Sequence, residues 1–251
     1  MTSHDPRLRI ILHADDLGGS ERMNDEIFGL MDQEKLTSAS ILANGPAFDD
    51  AVRRSHYFPH CSFGLHLNIT DFEPLCPSPA LEPLLSPNGC FHAQARRWPL
   101  SNALKQAVLA EWTTQLRRVR NAGVPISHID SHHHTHTLFG LLDCLKQLCC
   151  GHDLGRVRIR HTFTHRHGDF GWRIDNRLYN HVLRRHFTCV REFGPFAGFS
   201  SALPHFVPGS AVELMLHPGH DRYNGEIQSF AQTVDEDFRH RYQCISYREL
   251  N

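Results

Sequence analysis

Apolar and polar residues follow two different periods along this chain. Short apolar runs, such as those at 8–13 and 212–216, alternate with segments in which apolar residues recur every three or four positions. The first pattern predicts β-strands, and the second predicts amphipathic α-helices. A succession of strand and helix repeated about six or seven times is typical of an α/β fold with a parallel sheet.

Breaks in the pattern predict where these elements begin and end. Ser20 and Ser101 are suited to cap helices, and the helix 101–122 ends before Gly123, a residue suited to the C′ position. Between 71 and 99, repeated prolines interrupt any regular element, so we expect a long functional loop there. The other predicted helices cover 138–150 and 176–187, and the predicted strands cover 8–13, 38–42, 62–69, 126–130, 157–159 and 212–216.

Length and charge restrict the class of protein. The 251 residues fit one domain with a sizeable core, covering 1–251. With 26 Lys+Arg against 27 Asp+Glu, the net charge of −1 gives no general attraction for nucleic acid or anionic lipid. No apolar run approaches the roughly 18 residues of a membrane span, and the polar segment 1–9 lacks the apolar stretch of a secretory signal. We therefore expect a cytoplasmic protein that binds neither nucleic acid nor membrane, and we leave a homodimer open.

Histidine stands out in the composition, with 21 residues in the chain. Its special properties are metal ligation and proton transfer near neutral pH. Histidine or acidic side chains lie at the carboxyl ends of four predicted strands, where parallel α/β folds gather their active sites on one face. We therefore expect four chain segments to meet in space. The residues concerned are Asp15, Asp16, His66, Asp130, His132 and His217.

Each of these residues also has an ordinary structural explanation. Asp15 or Asp16 alone could cap the next helix, and His66 alone could be a hydrogen-bonded residue inside a barrel. The histidines at 132–136 could form a polar loop, and His217 could close a strand. One carboxylate and two imidazoles at three strand ends nevertheless make a mixed nitrogen and oxygen set suited to a divalent metal, and we favour that interpretation.

Alternation within 125–136 predicts that several imidazoles face one cavity. In an extended chain, side chains two positions apart lie on the same face. That face carries His128, Asp130, His132, His134 and His136. His134 is therefore a further candidate beside the site.

Two residues elsewhere are candidates for substrate binding. Arg156, Arg158 and Arg160 alternate on a predicted strand, so one face could point an arginine at the site, and Arg160 is the candidate. Surface ion pairs are the alternative for these arginines. Trp98, in the proline-rich loop, could stack on a sugar ring or anchor the loop.

Several common sites are absent from the sequence. No G-x-x-x-x-G-K-[ST], G-x-G-x-x-G or G-x-S-x-G pattern occurs, which excludes P-loop, Rossmann and serine-hydrolase interpretations. The eight cysteines include no C-x-x-C pair, which argues against a zinc ribbon or a thioredoxin-like site. We expect free thiols.

Five segments taken together are more specific than any one of them. They are HADDLGGSERMNDEIFGL (13–30), LTSASILANGPAFDDAV (36–52), FGLHLN (63–68), PISHIDSHHHTH (125–136) and LMLHPG (214–219). In order and spacing they resemble the YdjC-like carbohydrate deacetylases, the group that includes chitooligosaccharide deacetylase. The resemblance implies a (β/α) barrel-like fold, one divalent metal ion, either Mg²⁺ or Zn²⁺, and hydrolysis of an N-acetyl group on an amino sugar.

Carried over position by position, the resemblance implies roles for single residues. Asp16, His66 and His132 would be metal ligands. Asp15 falls where a general base is expected, and His217 falls where a general acid is expected. The implied substrate is a small carbohydrate.

In the implied reaction, the metal and these side chains have separate roles in amide hydrolysis. The metal would activate water and polarise the acetyl carbonyl, while Asp15 accepts the water proton and His217 protonates the departing amine. Asp130 would receive the N–H of a ligating histidine and fix its tautomer. The chain departs from the family at Leu17, where Phe is common, and it matches the family poorly after His220. Of all that the resemblance implies, the identity of the substrate is therefore the least transferable to this chain.

Two alternatives stay open at this point. One is a metal-dependent hydrolase of another bond, such as a phosphoester or a cyclic amide. The other is a sugar-binding barrel that has lost turnover. A binder needs neither proton-transfer group, so the presence of both Asp15 and His217 favours an enzyme.

Overall fold

The computed structural model describes residues 6–93, 100–164 and 170–251. Seven strands form one sheet in which every pairing is parallel. The strands are β1 Arg9–Leu17, β2 Ser38–Ile41, β3 Ser62–Leu67, β4 Ile126–Ser131, β5 Glu192–Pro195, β6 Ala211–Leu216 and β7 Gln243–Cys244. The α-helices are α1 Glu21–Asp32, α2 Phe48–Ser55, α3 Asn102–Asn121, α4 Leu142–Gly151, α5 Phe170–Arg184, α6 Phe199–Ala202, α7 Asn224–Thr233 and α8 Glu236–Arg241.

The sheet curls into a barrel. Its strand order is β4-β3-β2-β1-β6-β5, and the short β7 pairs with the first residues of β1. Residues 156–158 lie between the two outer strands, because Val157 bridges Ile129 of β4 and Arg156 bridges Thr188 ahead of β5. The predicted α/β barrel with parallel strands is thereby confirmed.

The two capped helices form as their sequences predict. The Ser20 side chain accepts a hydrogen bond from the N–H of Met23 at the start of α1, and Ser101 accepts one from Leu104 at the start of α3. Such a cap contributes about 1 kcal/mol. Gly123 follows α3 with φ of +83°, the left-handed conformation that suits glycine.

Three differences from the predicted strands bear on the site. β1 continues four residues beyond His13 and includes both acidic residues of the Asp pair. The predicted strand 157–159 makes only single bridges. β5 was not predicted, because its sequence EFGP is short and contains neither a β-branched run nor alternation.

The proline-rich segment is partly ordered by its own contacts. A 3-10 helix covers Pro79–Leu84, and Leu85 bridges Phe91 in antiparallel fashion. Leu81, Leu84 and Phe91 are buried against the main core. Trp98 lies outside the described residues. Among the helices of the described residues, none is long and apolar enough to cross a membrane.

Candidate active site

The interior of this barrel is polar where parallel barrels are usually filled with branched apolar side chains. Arg158 is fully buried there and donates two hydrogen bonds, of 2.9 and 2.7 Å, to the carboxylate of Asp15. The Arg158 guanidinium also lies 2.9 Å from Oδ2 of Asp130 and donates a 2.8 Å hydrogen bond to Glu213. Three buried carboxylates thus share one arginine, an arrangement that favours further positive charge nearby.

Asp15 is held as an ionised carboxylate by this arginine. Burial raises the pKa of Asp15, but Arg158 together with His13 and His66 outweighs burial and holds the pKa well below its usual range. The bidentate contact also fixes the orientation of the carboxylate.

The backbone of β1 brings both members of the Asp pair to the same end of the barrel. In a regular strand, Asp15 and Asp16 would point to opposite faces. Here the pairing with β2 shifts register between Ala14 and Leu17, and Asp16 has φ of +68°. This irregularity lets Asp15 face Arg158 while Asp16 faces a separate group of histidines.

Asp16, His66 and His132 form a compact cluster. Oδ1 of Asp16 lies 2.8 Å from Nδ1 of His132 and 3.1 Å from Nε2 of His66. Burial raises the pKa of Asp16, but His132 and the other histidines outweigh it and hold the pKa well below its usual range. The three side chains come from β1, β3 and the residue after β4, at the carboxyl ends of those strands.

His66 is oriented from behind by Asp130. Nδ1 of His66 lies 2.8 Å from Oδ1 of Asp130 and 2.9 Å from the hydroxyl of Ser40. A proton on Nδ1 leaves Nε2, the atom nearest Asp16, with a free lone pair. Burial lowers the pKa of His66, but Asp130 and Asp16 outweigh it and raise the pKa to about 10.

The cluster fits a divalent cation on the chemistry of its donors. One atom from each of Asp16, His66 and His132 can be chosen so that all three lie within 4.8 Å of one another. Two imidazole nitrogens and one carboxylate oxygen leave room for water or substrate on a tetrahedral or larger coordination sphere. Asp16 and His66 are both buried, so two of the three ligand side chains are preformed.

Two other groups in the barrel have similar spacing, namely His13–His128–Asp130 and Asp15–His66–Asp130. Both use Asp130, whose Oδ2 lies 2.9 Å from the Arg158 guanidinium. A cation there would lie next to a permanent positive charge, so the group around Asp16 is the better candidate.

His217 lies beside Asp15, at the mouth of the barrel. Its Nε2 is 3.7 Å from Oδ2 of Asp15, and its ring stacks on Tyr223 with centroids 4.9 Å apart. Burial lowers the pKa of His217 despite the neighbouring carboxylates, so the neutral imidazole is favoured.

Sequence reasoning missed Arg158 and His220 among the residues of this site. The first is Arg158, which lies among the acidic residues, whereas Arg160 donates to the carbonyl oxygen of Thr137 and pairs with Asp175. The alternation of 156–160 allowed either arginine to face the site. The second is His220, whose Nε2 lies 3.1 Å from Oδ2 of Asp16. The run HPGH at 217–220 was the available signal.

The predicted alternation of histidines ends at Ser131. His128 and Asp130 do share the interior face of β4, but residues His132–Thr137 form a 3-10 segment instead of an extended chain. His133 and His134 have φ of +51° and +56°, so the two-residue period is lost. His134 consequently lies against His161, with ring centroids 4.7 Å apart, and not in the cluster around Asp16.

Comparisons with known proteins agree on one family. The family model described as YdjC-like protein matches residues 9–249. The carbohydrate deacetylase of Halalkalibacterium halodurans is 32% identical over 155 residues, covering 59% of this chain and 62% of that protein. Carbohydrate deacetylase 1 of Listeria innocua is 35% identical over 131 residues, covering 50% of this chain and 51% of that protein. The matches therefore span about half to three fifths of the length of these curated relatives.

Two solved structures share the fold. An Enterococcus faecalis protein with a suggested role in cellobiose-phosphate cleavage superposes with a TM-score of 0.79 at 21% identity, covering 97% of this chain and 99% of that chain. A Streptococcus mutans CE4 esterase superposes with a TM-score of 0.52 at 12% identity, covering 97% of this chain and 87% of that chain. Both support the barrel architecture.

Proposed function

The chain belongs to the YdjC-like protein family, and from that premise we propose that it is a metal-dependent carbohydrate deacetylase acting on the N-acetyl groups of amino sugars. The observation that carries the proposal is the convergence, at one barrel mouth, of the Asp16–His66–His132 cluster with Asp15 and His217. The names of the curated relatives support the same activity.

In this proposal, Asp16, His66 and His132 hold one divalent cation. When bound, the cation supplies a Lewis acid that acidifies water and polarises the acetyl carbonyl. Two imidazoles and one carboxylate suit Zn²⁺ better than Mg²⁺, which prefers oxygen ligands, so we favour zinc.

Asp15 and His217 move the protons. Asp15 is ionised at neutral pH and accepts the proton of the attacking water at Oδ2, the oxygen that faces His217. Arg158 keeps Asp15 in place at the cost of basicity, because it stabilises the ionised form.

His217 delivers a proton to the departing amine nitrogen. Because its pKa is lowered, the neutral ring must first gain a proton, and Oδ2 of Asp15 is 3.7 Å away. The proton removed from water can therefore be the one given to the amine. Tyr223 stacks on the ring and holds it at the mouth.

Acetate release from tetra-N-acetylchitotetraose, called chitotetraose below, tests this function. We expect release that stops with a chelator and returns with Zn²⁺, and we expect Asp16→Ala to abolish it while Asp25→Ala, an exposed residue of the same region, retains it. Hydrolysis of a phosphoester or a cyclic amide without acetate release would indicate the other hydrolase class. Sugar binding without release of acetate from any N-acetylated saccharide would indicate an inactive barrel.

A further inference from the structure

A cavity lies outside the barrel wall, between α5 and the residues around β5 and α6. Its volume is about 920 Å³, within the range of ligand sites. Four arginines line the cavity, and for that reason we call the cavity the arginine groove. They are Arg173, Arg177, Arg184 and Arg191. Glu192 is the one carboxylate among the described residues that line the cavity.

Three of these arginines form a single stripe on α5. Residues 173, 177 and 184 are spaced so that they share one face of a helix, and that face turns toward the cavity. At about 1.5 Å per residue, the stripe is roughly 16 Å long. Like charges at this spacing destabilise a helix unless an anion compensates them.

Among the described residues, the neighbouring acidic side chains do not supply that compensation. Asp175 of α5 pairs with Arg160, and Glu192 lies 3.8 Å from Arg191. In the part of the chain that the structure describes, no carboxylate pairs with Arg173 or Arg177. Arg184 donates to the carbonyl oxygens of 190 and 191 and holds one end of the groove.

Aromatic contacts separate the groove from the candidate active site. His161 lines the cavity, and its ring lies 4.7 Å from that of His134 and stacks on Phe193. On the other side of the Phe193 ring, the Arg158 guanidinium lies 4.8 Å from the centroid of that ring. Phe193 is thus the partition between the barrel interior and the groove.

The wall of the cavity also offers apolar ring faces. Phe163 and Phe206 both line it, with ring centroids 5.2 Å apart. Aromatic faces pack against the apolar faces of sugar rings, and arginine forks match carboxylate and sulfate groups. The combination is suited to a saccharide that carries negative charge.

We propose that the arginine groove binds an acidic oligosaccharide in which carboxylate or sulfate groups recur along the chain, and that such a glycan is the substrate class of the neighbouring site. Positive charges spread along this length favour a ligand with recurring charges over one with a single anionic group. This inference rests on the proposed deacetylase function for its second half, whereas the binding half can be measured without turnover.

Binding of four defined probes by titration calorimetry tests the proposal. A hyaluronan tetrasaccharide carries carboxylates, a chondroitin sulfate tetrasaccharide carries sulfates as well, chitotetraose is neutral, and a short single-stranded oligodeoxynucleotide is a polyanion without acidic sugars. We expect one or both acidic saccharides to bind more tightly than chitotetraose, and we expect the difference to shrink as salt is raised. The stronger of the two identifies the preferred anionic group.

A double variant locates the binding. Arg173→Gln with Arg177→Gln should weaken acidic-saccharide binding by roughly tenfold and leave chitotetraose within about twofold. The matched control removes the same charge from two exposed arginines outside the groove, Arg117→Gln with Arg185→Gln, and should change neither affinity.

Three results would overturn the inference. They are equal affinity for acidic and neutral tetrasaccharides, no effect of the groove variant, and tighter binding of the oligonucleotide than of either acidic saccharide. Release of acetate from chitotetraose together with any of these results would leave the deacetylase proposal standing. Groove-dependent binding of an acidic saccharide without acetate release from any substrate would instead remove the deacetylase proposal and the claim about substrate class.

Discussion

At the scale of single residues, the two adjacent aspartates have separate surroundings. Asp15 contacts a permanent positive charge, the Arg158 guanidinium, whereas Asp16 contacts histidines that can release a proton and accept a metal. A carboxylate locked to arginine is unavailable as a metal ligand on that side, and a carboxylate among imidazoles is well placed for it. This difference is the basis for assigning proton transfer to Asp15 and metal binding to Asp16.

The assignment predicts different outcomes for two variants. Asp15→Asn keeps the size of the side chain but cannot accept a proton, so acetate release should fall by about 10²- to 10⁴-fold while bound zinc is retained. His66→Ala should lose zinc and activity together. Elemental analysis after dialysis and an acetate assay give both readouts. Loss of zinc in Asp15→Asn as complete as in His66→Ala would make Asp15 a ligand.

The contact between His220 and Asp16 predicts that removal of the His220 imidazole lowers metal affinity. That imidazole contacts Oδ2 of Asp16, while His66 and His132 contact Oδ1, so His220 orients the carboxylate from its opposite oxygen. His220→Phe should weaken zinc binding by roughly 10- to 100-fold, the usual cost of removing a partner of a ligand. Competition with a zinc-chelating dye measures this, and His152→Phe, near the far end of α4, is the control. Unchanged zinc affinity in His220→Phe would contradict the positioning role.

The residue pattern predicted where acids and histidines would lie, because strand ends in a parallel fold converge. It did not distinguish Arg158 from Arg160, since both lie on alternate positions of the same short segment. Nor did it include His220, which follows a Pro-Gly turn whose direction depends on tertiary contacts, including a hydrogen bond from the N–H of Gly219 to Glu26.

At the scale of elements, the close approach of β3 and β4 depends on a glycine. A Cβ added at Gly64 would lie 2.4 Å from the ring of His128. That ring cannot retreat, because it stacks on Tyr247 with centroids 3.6 Å apart. The packing of the polar interior near the site therefore requires a glycine, which has no side chain, at this position of β3.

Gly64→Ala should consequently destabilise the fold, by about 1–3 kcal/mol, the usual cost of overpacking a core. Gly29 in α1 is the matched control, because an added Cβ meets nothing within 4 Å there. Gly29→Ala should stabilise the protein by up to about 1 kcal/mol through helix propensity. Urea unfolding midpoints compare the two variants, and equal midpoints would show that the contact at Gly64 costs nothing.

Elements with strong local signals were predictable, and those set by tertiary contacts were not. α3 follows its apolar stripe between Ser101 and Gly123, whereas the 3-10 segment after β4 contains two histidines in left-handed conformations. Histidine adopts this conformation more often than most residues, but still too rarely for the sequence to specify it. Hydrogen bonds between distant residues hold the segment, such as the contact of His133 with Thr70.

At the scale of the whole molecule, the sequence predicts a parallel barrel but not the contacts that close it. The segment 156–158 joins β4 to the residues before β5 by single bridges, and neither it nor β5 has the length of a typical strand. Closure matters for function because it places Arg158 inside the barrel, opposite β1.

Buried histidines make the stability of the whole fold dependent on pH. Burial lowers the pKa of His136 to about 4 and lowers the pKa values of His128 and His134 well below their usual range. Below about pH 6.5 the unfolded chain binds protons that the folded chain does not, so stability falls as pH falls, by up to about 1.4 kcal/mol per pH unit for each histidine. His66, whose pKa is raised to about 10, is protonated in the fold throughout this window and becomes fully protonated in the unfolded chain as pH falls below 6.5, so it adds little slope over most of the window.

The free energy of unfolding should therefore drop between pH 6.5 and pH 4, measured by urea titration with a chelator present. His136→Gln should reduce that dependence, since it removes one of the histidines whose pKa burial lowers, while His181→Gln, on the exposed surface of α5, should not. A flat profile between pH 6.5 and pH 4 would show that these histidines do not remain neutral in the fold.

Anomalous diffraction at the zinc edge, from crystals grown with Zn²⁺, tests the central claim most directly. We predict one strong peak within about 2.0–2.3 Å of Asp16 Oδ1, His66 Nε2 and a ring nitrogen of His132, at the mouth of the barrel beside His217. The absence of a peak at this position, or a peak coordinated by His13, His128 and Asp130 in its place, would contradict the account.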